Sequence, residues 1–403
     1  MNNFGHQGII PGTPAQQQFM PGTPGQQQWQ YGPQGPQGNP FAPVTPPATQ
    51  QAQPDNAPDH PIVAVGHQLN IAVAEMQAPG APGESPFHRV ARGYCRWVNA
   101  IDDLQEILAK GGAVDPANPR NAADRHIRQE YEKMTVKIPG LEAALAERGP
   151  KGITDIGRKL NRGKQAAQAE DNANVKESMA YFYDFKSPLP QKKEHRGYHH
   201  DDCAWLLAST NDDILDPKIR EEYKSGVRVA TSGDFPRLMY ENYTPVPGQL
   251  FAGWLKSPIL IKTGTLIAFG KASTKDGRGN DRPHGRGIAN IHGYHQATIE
   301  FIAYSAMLAH FALTSKRTLL VHNGTGAFTY AGFYKAIIKC YNVMFKSEKV
   351  DLISFWNKHV YGDNSADMEV NLEDATDEFP PTSIAAMMFA QGAELADDVE
   401  LDF

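Results

Sequence analysis

Apolar residues recur at three- and four-residue spacing through most of the middle of the chain, a period that predicts helices rather than strands. The first predicted helix opens at Ser85-Pro86, with Ser85 as the N-cap and Pro86 in the first turn. Val90, Tyr94, Trp97, Val98, Ile101, Leu104 and Leu108 carry its stripe onward until Gly111 and Gly112 stop it. A second helix is predicted over 121–137 and a short third over 141–148, beyond Pro139 and Gly140. Residues 151–180 are rich in Ala, Lys and Gln and poor in large apolar groups, so a weakly packed, solvent-exposed helix or helix–loop–helix is expected. Between 181 and 248, Pro, Gly, Asp and aromatic residues crowd together. That texture predicts ordered loops with short helices at 202–208 and 216–224, the second capped by Asp216. The chain then becomes strongly apolar. Pro258 starts, kinks or interrupts a helix within 250–269. Residues 294–315 are apolar on nearly every face, which places that helix at the centre of a domain. Helices over 331–345 and 349–360 complete the set, and strand signals are confined to 226–230 and 318–322. The expected fold class is mainly α: a single helical domain over 85–362, built from N-terminal helices (85–180) and a core (181–362) with aromatic and Pro-rich loops.

Composition changes the picture at both ends. Residues 1–60 contain no Lys or Arg and repeat PGTPAQQQF (11–19) as PGTPGQQQW (21–29). Such a tract buries too little apolar surface to offset an ordering entropy of ~1–2 kcal/mol per residue, so 1–84 is expected to be a disordered Gln/Pro/Gly-rich tail. Phe19, Trp29, Tyr31 and Phe41, spaced along it, give a sticker-and-spacer pattern. Residues 363–403 hold twelve acids and no base, and are expected to form an acidic disordered tail. The formal net charge of −6 therefore hides a middle that carries all 39 Lys and Arg, with a balance of about +8. A uniformly acidic protein, a collagen and a disulfide-stapled mini-protein are excluded. Cys95, Cys203 and Cys340 are far apart, which suits neither a disulfide framework nor a four-cysteine zinc site and points to a reducing, intracellular setting, nuclear or cytoplasmic. No secretory signal is visible at the N-terminus. The apolar runs 255–269 and 299–313 are interrupted by Lys256, Lys262, Glu300 and His310 and fall short of the ~18–20 residues a membrane span needs. No membrane partner is expected.

Several motifs follow one another in a specific order. They are HRGYHH (195–200), Leu206, Asp216-Pro217, Arg220, DFPRLMY (234–240), GWLKSPILIK (253–262), Ile291-His292-Gly293, the helix over 297–315, Phe333-Tyr334 and Phe355-Trp356-Asn357. Over about 179–361 this order resembles an uncharacterised domain-of-unknown-function family expanded in basidiomycete, mushroom-forming fungi. The resemblance implies a fungal source and a mostly helical domain. It implies no reaction, cofactor or catalytic residue. The long basic loop 271–287 departs from the family pattern.

Three features carry candidate chemistry. His199 and Asp201 have the spacing of two legs of a non-haem iron facial triad. A distal imidazole from His292, or from His284 or His295, would complete a ligand set of His199, Asp201 and His292. The competing reading is a His pair in an ordered loop, with Asp201 or Asp202 capping the next helix. Lys271, Lys275, Arg278, Arg282 and Arg286 lie in a Gly-rich loop, where Arg can grip phosphate oxygens and Gly lets backbone approach, so nucleic acid is a candidate partner. The pattern GxxxxGK[ST] is absent, and a solvated loop is the competing reading. Last, the acidic tail alternates with apolar groups, as in IAAMMF (384–389) and LADDVELDF (395–403), a composition typical of partner-binding segments. It could enter a partner's groove or fold back on its own domain. Neither G-x-S-x-G nor HExxH occurs, and no cofactor is expected. The leading expectation is a non-enzymatic intracellular interaction protein, associated with nucleic-acid assemblies and meeting a protein partner through its tail. The alternatives are a metal-dependent enzyme (iron or zinc) centred on His199 and Asp201, and an assembly factor driven by the Gln-rich arm.

Overall fold

The periodicity is realised as helices. The computed structural model describes residues 85–274, 287–322, 328–362 and 383–388, all within one unit, Asp59–Phe403. The helices are α1 (Pro86–Trp97), α2 (Leu104–Gly111), α3 (Ala122–Lys137), α4 (Leu141–Ser178), α5 (Asp201–Leu207), α6 (Pro217–Ser225), α7 (Pro258–Phe269), α8 (Ile288–Ile291), α9 (Ile299–Leu313), α10 (Tyr330–Asn342) and α11 (Lys346–Trp356). The protein is mainly helical. Among the described residues there is no strand, only isolated bridges such as Ser209–Pro236 and Tyr240–Trp254. The strand signals at 226–230 and 318–322 are loops. Their polar groups go to a helix and a turn instead, with the Arg228 amide donating to the Glu222 carbonyl of α6 (3.0 Å) and His322 Nε2 meeting the Ile101 carbonyl between α1 and α2 (2.9 Å). Among the described residues no helix is long and apolar enough to cross a membrane.

Helix α9 is buried along nearly its whole length, as its all-round apolarity predicts. Both its ends are satisfied by side chains. Thr298 Oγ1 accepts from the Phe301 amide (3.1 Å) and donates to the Trp97 carbonyl (2.7 Å). At the other end Lys193 Nζ donates to the Phe311 carbonyl (2.5 Å) and Arg196 to that of Ala312 (2.9 Å), so two cations meet the negative end of the helix. Burial pushes the Lys193 ammonium down to about 7. Arg196 of the HRGYHH segment and Lys193 just ahead of it thus hold the central helix.

The structure differs from the periodicity in three places. The stripe expected as one helix from Ser85 to Gly111 is two, because the Asn99 side chain accepts from the amides of Ile101 (3.1 Å) and Asp102 (2.9 Å), and Asp103 caps α2. The segment expected to pack weakly, 151–180, is the second limb of α4, which kinks at Gly149 (φ 58°) ahead of Pro150. This limb packs closely on α1: a Cβ added to Gly163 would lie 2.1 Å from the His88 carbonyl oxygen. Small residues permit that approach, and a periodicity of large apolar groups does not register it. Across the same contact Arg96 grips Asp171 through two 2.7 Å hydrogen bonds, and Tyr304 of α9 donates to the same carboxylate (3.0 Å). Finally, α11 runs into a π turn (Asn357–Tyr361).

Three apolar clusters result among the described residues. One is formed by α1, α2, α3 and both limbs of α4, with Tyr94, Leu104, Met134 and Leu160. A small one lies about α5 and α6, with Ala204, Ala208, Ile214 and Tyr223. The largest surrounds α9. Trp97 anchors the end of α1 in this largest cluster: its ring lies stacked on Tyr294 (4.6 Å) and Phe301 (5.2 Å), and its indole donates to the Tyr361 hydroxyl (2.7 Å). The tails expected to be disordered, 1–84 and 363–403, fall outside the described residues except at 383–388. That short stretch is a helical turn whose apolar side is buried in the largest cluster.

Candidate interaction groove

The loop after α6 turns back on itself where the Thr231 amide donates to the Asp234 carboxylate (2.7 Å). Ser232 ties it to the start of α10: its hydroxyl donates to the Thr329 carbonyl (3.1 Å) and accepts from the Thr329 amide (2.9 Å). Behind the loop, Phe235 packs against Trp254 (5.3 Å) and Phe333 (6.2 Å). Loop 231–235 and α10 are the two walls of a groove, and residues 383–388 of the acidic tail occupy it.

The fit is apolar and local. Ile384, Ala385 and Met388 are buried at i, i+1 and i+4, while Met387 faces out. The Ala385 amide donates to the Gly233 carbonyl (2.9 Å), and Cys340 Sγ of α10 lies 3.7 Å from the Ala385 carbonyl. Burial pushes the Cys340 thiol far above its usual range, so it stays a neutral donor. Ser383 caps the turn, its Oγ accepting from the Ala386 amide (3.2 Å). Gly233 is the contact point. A Cβ there would lie 2.9 Å from Ser383 Oγ and 3.1 Å from Ala385 Cβ, so the close approach depends on glycine.

The residues singled out for metal binding do not converge. His199 is exposed at the end of a 3₁₀ turn, Gly197–His199. The Asp201 side chain, 79% exposed, pairs with Arg220, whose hydrogen bond holds the carboxyl below its usual range. The ring of His292 packs over Gly93 on α1. Among the described residues no group of three or more His, Cys, Asp or Glu side chains is placed to hold a metal ion. The cap expected from Asp201 or Asp202 is also corrected. His200 precedes α5 and its Nδ1 accepts from the Cys203 amide (3.4 Å), while Asp202 turns to the Lys186 amide (2.9 Å). Of the basic loop, Lys271 forms an ion pair with Glu177 (2.5 Å), while Lys275, Arg278, Arg282 and Arg286 lie outside the described residues. Burial lifts the thiols of Cys95 and Cys203 to about 12, which keeps them protonated at neutral pH.

Sequence reasoning singled out the apolar interruption 384–389 without its receptor. The N-cap Ser383 followed by apolar groups at i, i+1 and i+4 is a legible signal for the turn. The signal for Gly233 and Cys340 is not, since their role depends on a contact across the fold.

Fold and groove together define an all-helical domain that holds a short peptide segment. Residues 162–361 match a family of unknown function, DUF6698. The match begins inside α4 and ends at the π turn, so it spans the central helix and both groove walls. Neither a curated protein nor a solved structure matches the chain.

Proposed function

We propose that this is a non-enzymatic interaction protein of the cell interior, of a kind expanded in mushroom-forming fungi, whose binding element is the apolar turn within its acidic tail. The observation that carries the reading is the docking of residues 383–388 between loop 231–235 and α10. A segment that buries Ile384, Ala385 and Met388 while offering a backbone amide to a carbonyl has the make of a helix-in-groove ligand. The protein partner is one that presents a groove of the same kind: apolar, open to a close backbone contact, and tolerant of flanking carboxylates. Nucleic acid is the second partner, met through the basic middle and the loop carrying Lys271, Lys275, Arg278, Arg282 and Arg286. The order of motifs from His195 to Asn357 supports the fungal origin, and three buried, unpaired cysteines support a reducing compartment.

A labelled peptide of residues 379–392 tests the reading. It is titrated by fluorescence anisotropy into the full chain carrying Ile384→Asp, which vacates the groove, and into the unaltered chain. The peptide is expected to bind the variant at least tenfold tighter than the unaltered chain, where the tethered tail competes at an effective concentration on the order of millimolar. A variant that keeps its far-ultraviolet circular dichroism and melting transition yet fails to bind the peptide refutes the turn as a binding element.

A further inference from the structure

A second recess lies away from the tail groove, between the loop 249–256 and α11. It is a cleft of about 450 Å³ lined by Gln249–Trp254, Lys256, Met344, Glu348, Asp351 and Leu352, a volume within the range of ligand sites. Its apolar walls are Leu250 and Phe251 on the loop and Met344 and Leu352 from the α11 side, with the Phe251 ring set edge-on to Trp254 (5.8 Å).

The loop is held in a costly conformation. Leu255 (φ 59°), fully buried within this loop, and Tyr243 (φ 57°), six residues ahead of the loop, are the two non-glycine residues with left-handed backbone among the described residues. Left-handed backbone is costly for side chains of this size and persists where the surroundings enforce it. Here the enforcement is visible: the Leu255 carbonyl accepts from the Trp356 indole (2.8 Å), and the Glu241 amide donates to the Gly253 carbonyl (2.8 Å). The Trp254 indole N–H, buried at the cleft, has no acceptor among the described residues.

The charge of the cleft is one-sided. Glu348 and Asp351 stand at i and i+3 on one face of α11, and among the described residues that line the cleft Lys256 alone opposes them, paired with Asp351 and lying over the Phe355 ring (5.2 Å). Glu348 accepts from the Phe345 amide (3.0 Å) through one oxygen. The site therefore carries one uncompensated negative charge beside aromatic and aliphatic walls, on a part of the chain otherwise rich in Lys.

We infer that this cleft binds an apolar chain ending in a cation, with the chain against Leu250, Phe251, Met344 and Leu352 and the cationic head between Glu348 and Asp351. The chemistry is shared by an alkylammonium and by the Lys or Arg side chain of a peptide. The cleft is distinct from the tail groove, so it stands or falls without the reading above.

The test uses the full chain and follows the tryptophan indole resonances by nuclear magnetic resonance, with the Trp254 signal assigned from a Trp254→Phe variant. Hexylammonium and hexanol, the same chain with and without charge, are titrated separately. Nα-acetyl-lysine methylamide and Nα-acetyl-arginine methylamide form the peptide arm. Hexylammonium is expected to shift the Trp254 resonance saturably, at least fivefold tighter than hexanol, and to weaken as salt is raised. The double variant Glu348→Gln, Asp351→Asn changes exposed or half-exposed carboxylates only and is expected to erase the difference between the two ligands. Tighter binding of either acetylated amino acid than of hexylammonium assigns the natural ligand to a peptide, and the reverse order to a free amine. Equal binding of hexylammonium and hexanol overturns the inference. So does a charge preference that survives in the double variant.

Discussion

Arg96 has no water to fall back on. Its side chain is fully buried and its charge is met by Asp171, itself almost fully buried, with Tyr304 completing the set. Burial alone would lower the Arg96 pKa, but the carboxylate outweighs it and keeps the guanidinium charged. Such a pair adds little net stability over an apolar replacement, yet breaking it leaves one buried charge alone. Asp171→Ala is therefore expected to cost about 3–5 kcal/mol, read as a shift of the urea midpoint. A loss under 1 kcal/mol would mean that the guanidinium finds water. At this scale the sequence is partly legible. Trp97 stands out on an apolar stripe and is buried as expected. Arg96 reads as a surface residue on that stripe, because its partner is 75 positions away.

Helix α3 is the most polar of the N-terminal helices and is joined to the α1–α2 turn by a titratable latch. His126 Nε2 meets Asp102 (2.9 Å), and Asn99 donates to the same carboxylate (2.9 Å). The hydrogen bond to Asp102 lifts the His126 pKa above its ordinary 6.5, against the effect of burial. Burial raises the Asp102 carboxyl, but hydrogen bonds from His126 and Asn99 outweigh it and hold the group well below its ordinary 3.8. Glu130 also favours the imidazolium, and Lys335, 3.8 Å from Asp102, opposes it. The sign follows from linkage. The His126 contribution is complete below about 6.5, the unfolded value, and is lost as pH rises through the higher folded value. The Asp102 contribution is present above about 3.8 and is lost as pH falls towards the lower folded one. Amide protection of α3 in hydrogen exchange, corrected for intrinsic rates, is expected to fall between pH 6 and pH 8.5, and His126→Ala to remove that dependence. A dependence that persists in the variant would place the titration elsewhere. Element boundaries were legible where caps are local, as at Asn121, Asp216 and Pro258. They were not legible at Val98–Asp103, where Asn99 diverts backbone amides that a helix would otherwise use.

Across the described residues, the two main apolar clusters are tied together by α1, which lines one with Val90 and Tyr94 and enters the other with Trp97. Trp97 is stacked between Tyr294 and Phe301 and hydrogen-bonded to Tyr361. Trp97→Ala is expected to cost about 3–5 kcal/mol and to separate unfolding into two transitions, with the circular dichroism of the N-terminal helices lost before the near-ultraviolet signal of the α9 core. A single cooperative transition at lower denaturant would show that the Arg96–Asp171–Tyr304 contact suffices to couple them. The same scale governs the tail. Residues 384–388 are short and apolar, and they complete the larger core only because Gly233 and Cys340, 107 positions apart in the chain, stand on either side of them.

By itself the sequence determined the helical class, the centrality of 299–313, the Asp216 cap and the segregation of charge, because each depends on residues within a turn or two of one another or on composition alone. The close seat of α4 on α1, the dispersal of His199, Asp201 and His292, the groove for the tail and the strained wall of the second cleft were decided by tertiary structure. Their energies come from pairs of groups that only the packed chain brings within a few ångströms, where a missing Cβ, a shared carboxylate or an unmatched charge outweighs what any local pattern of residues records.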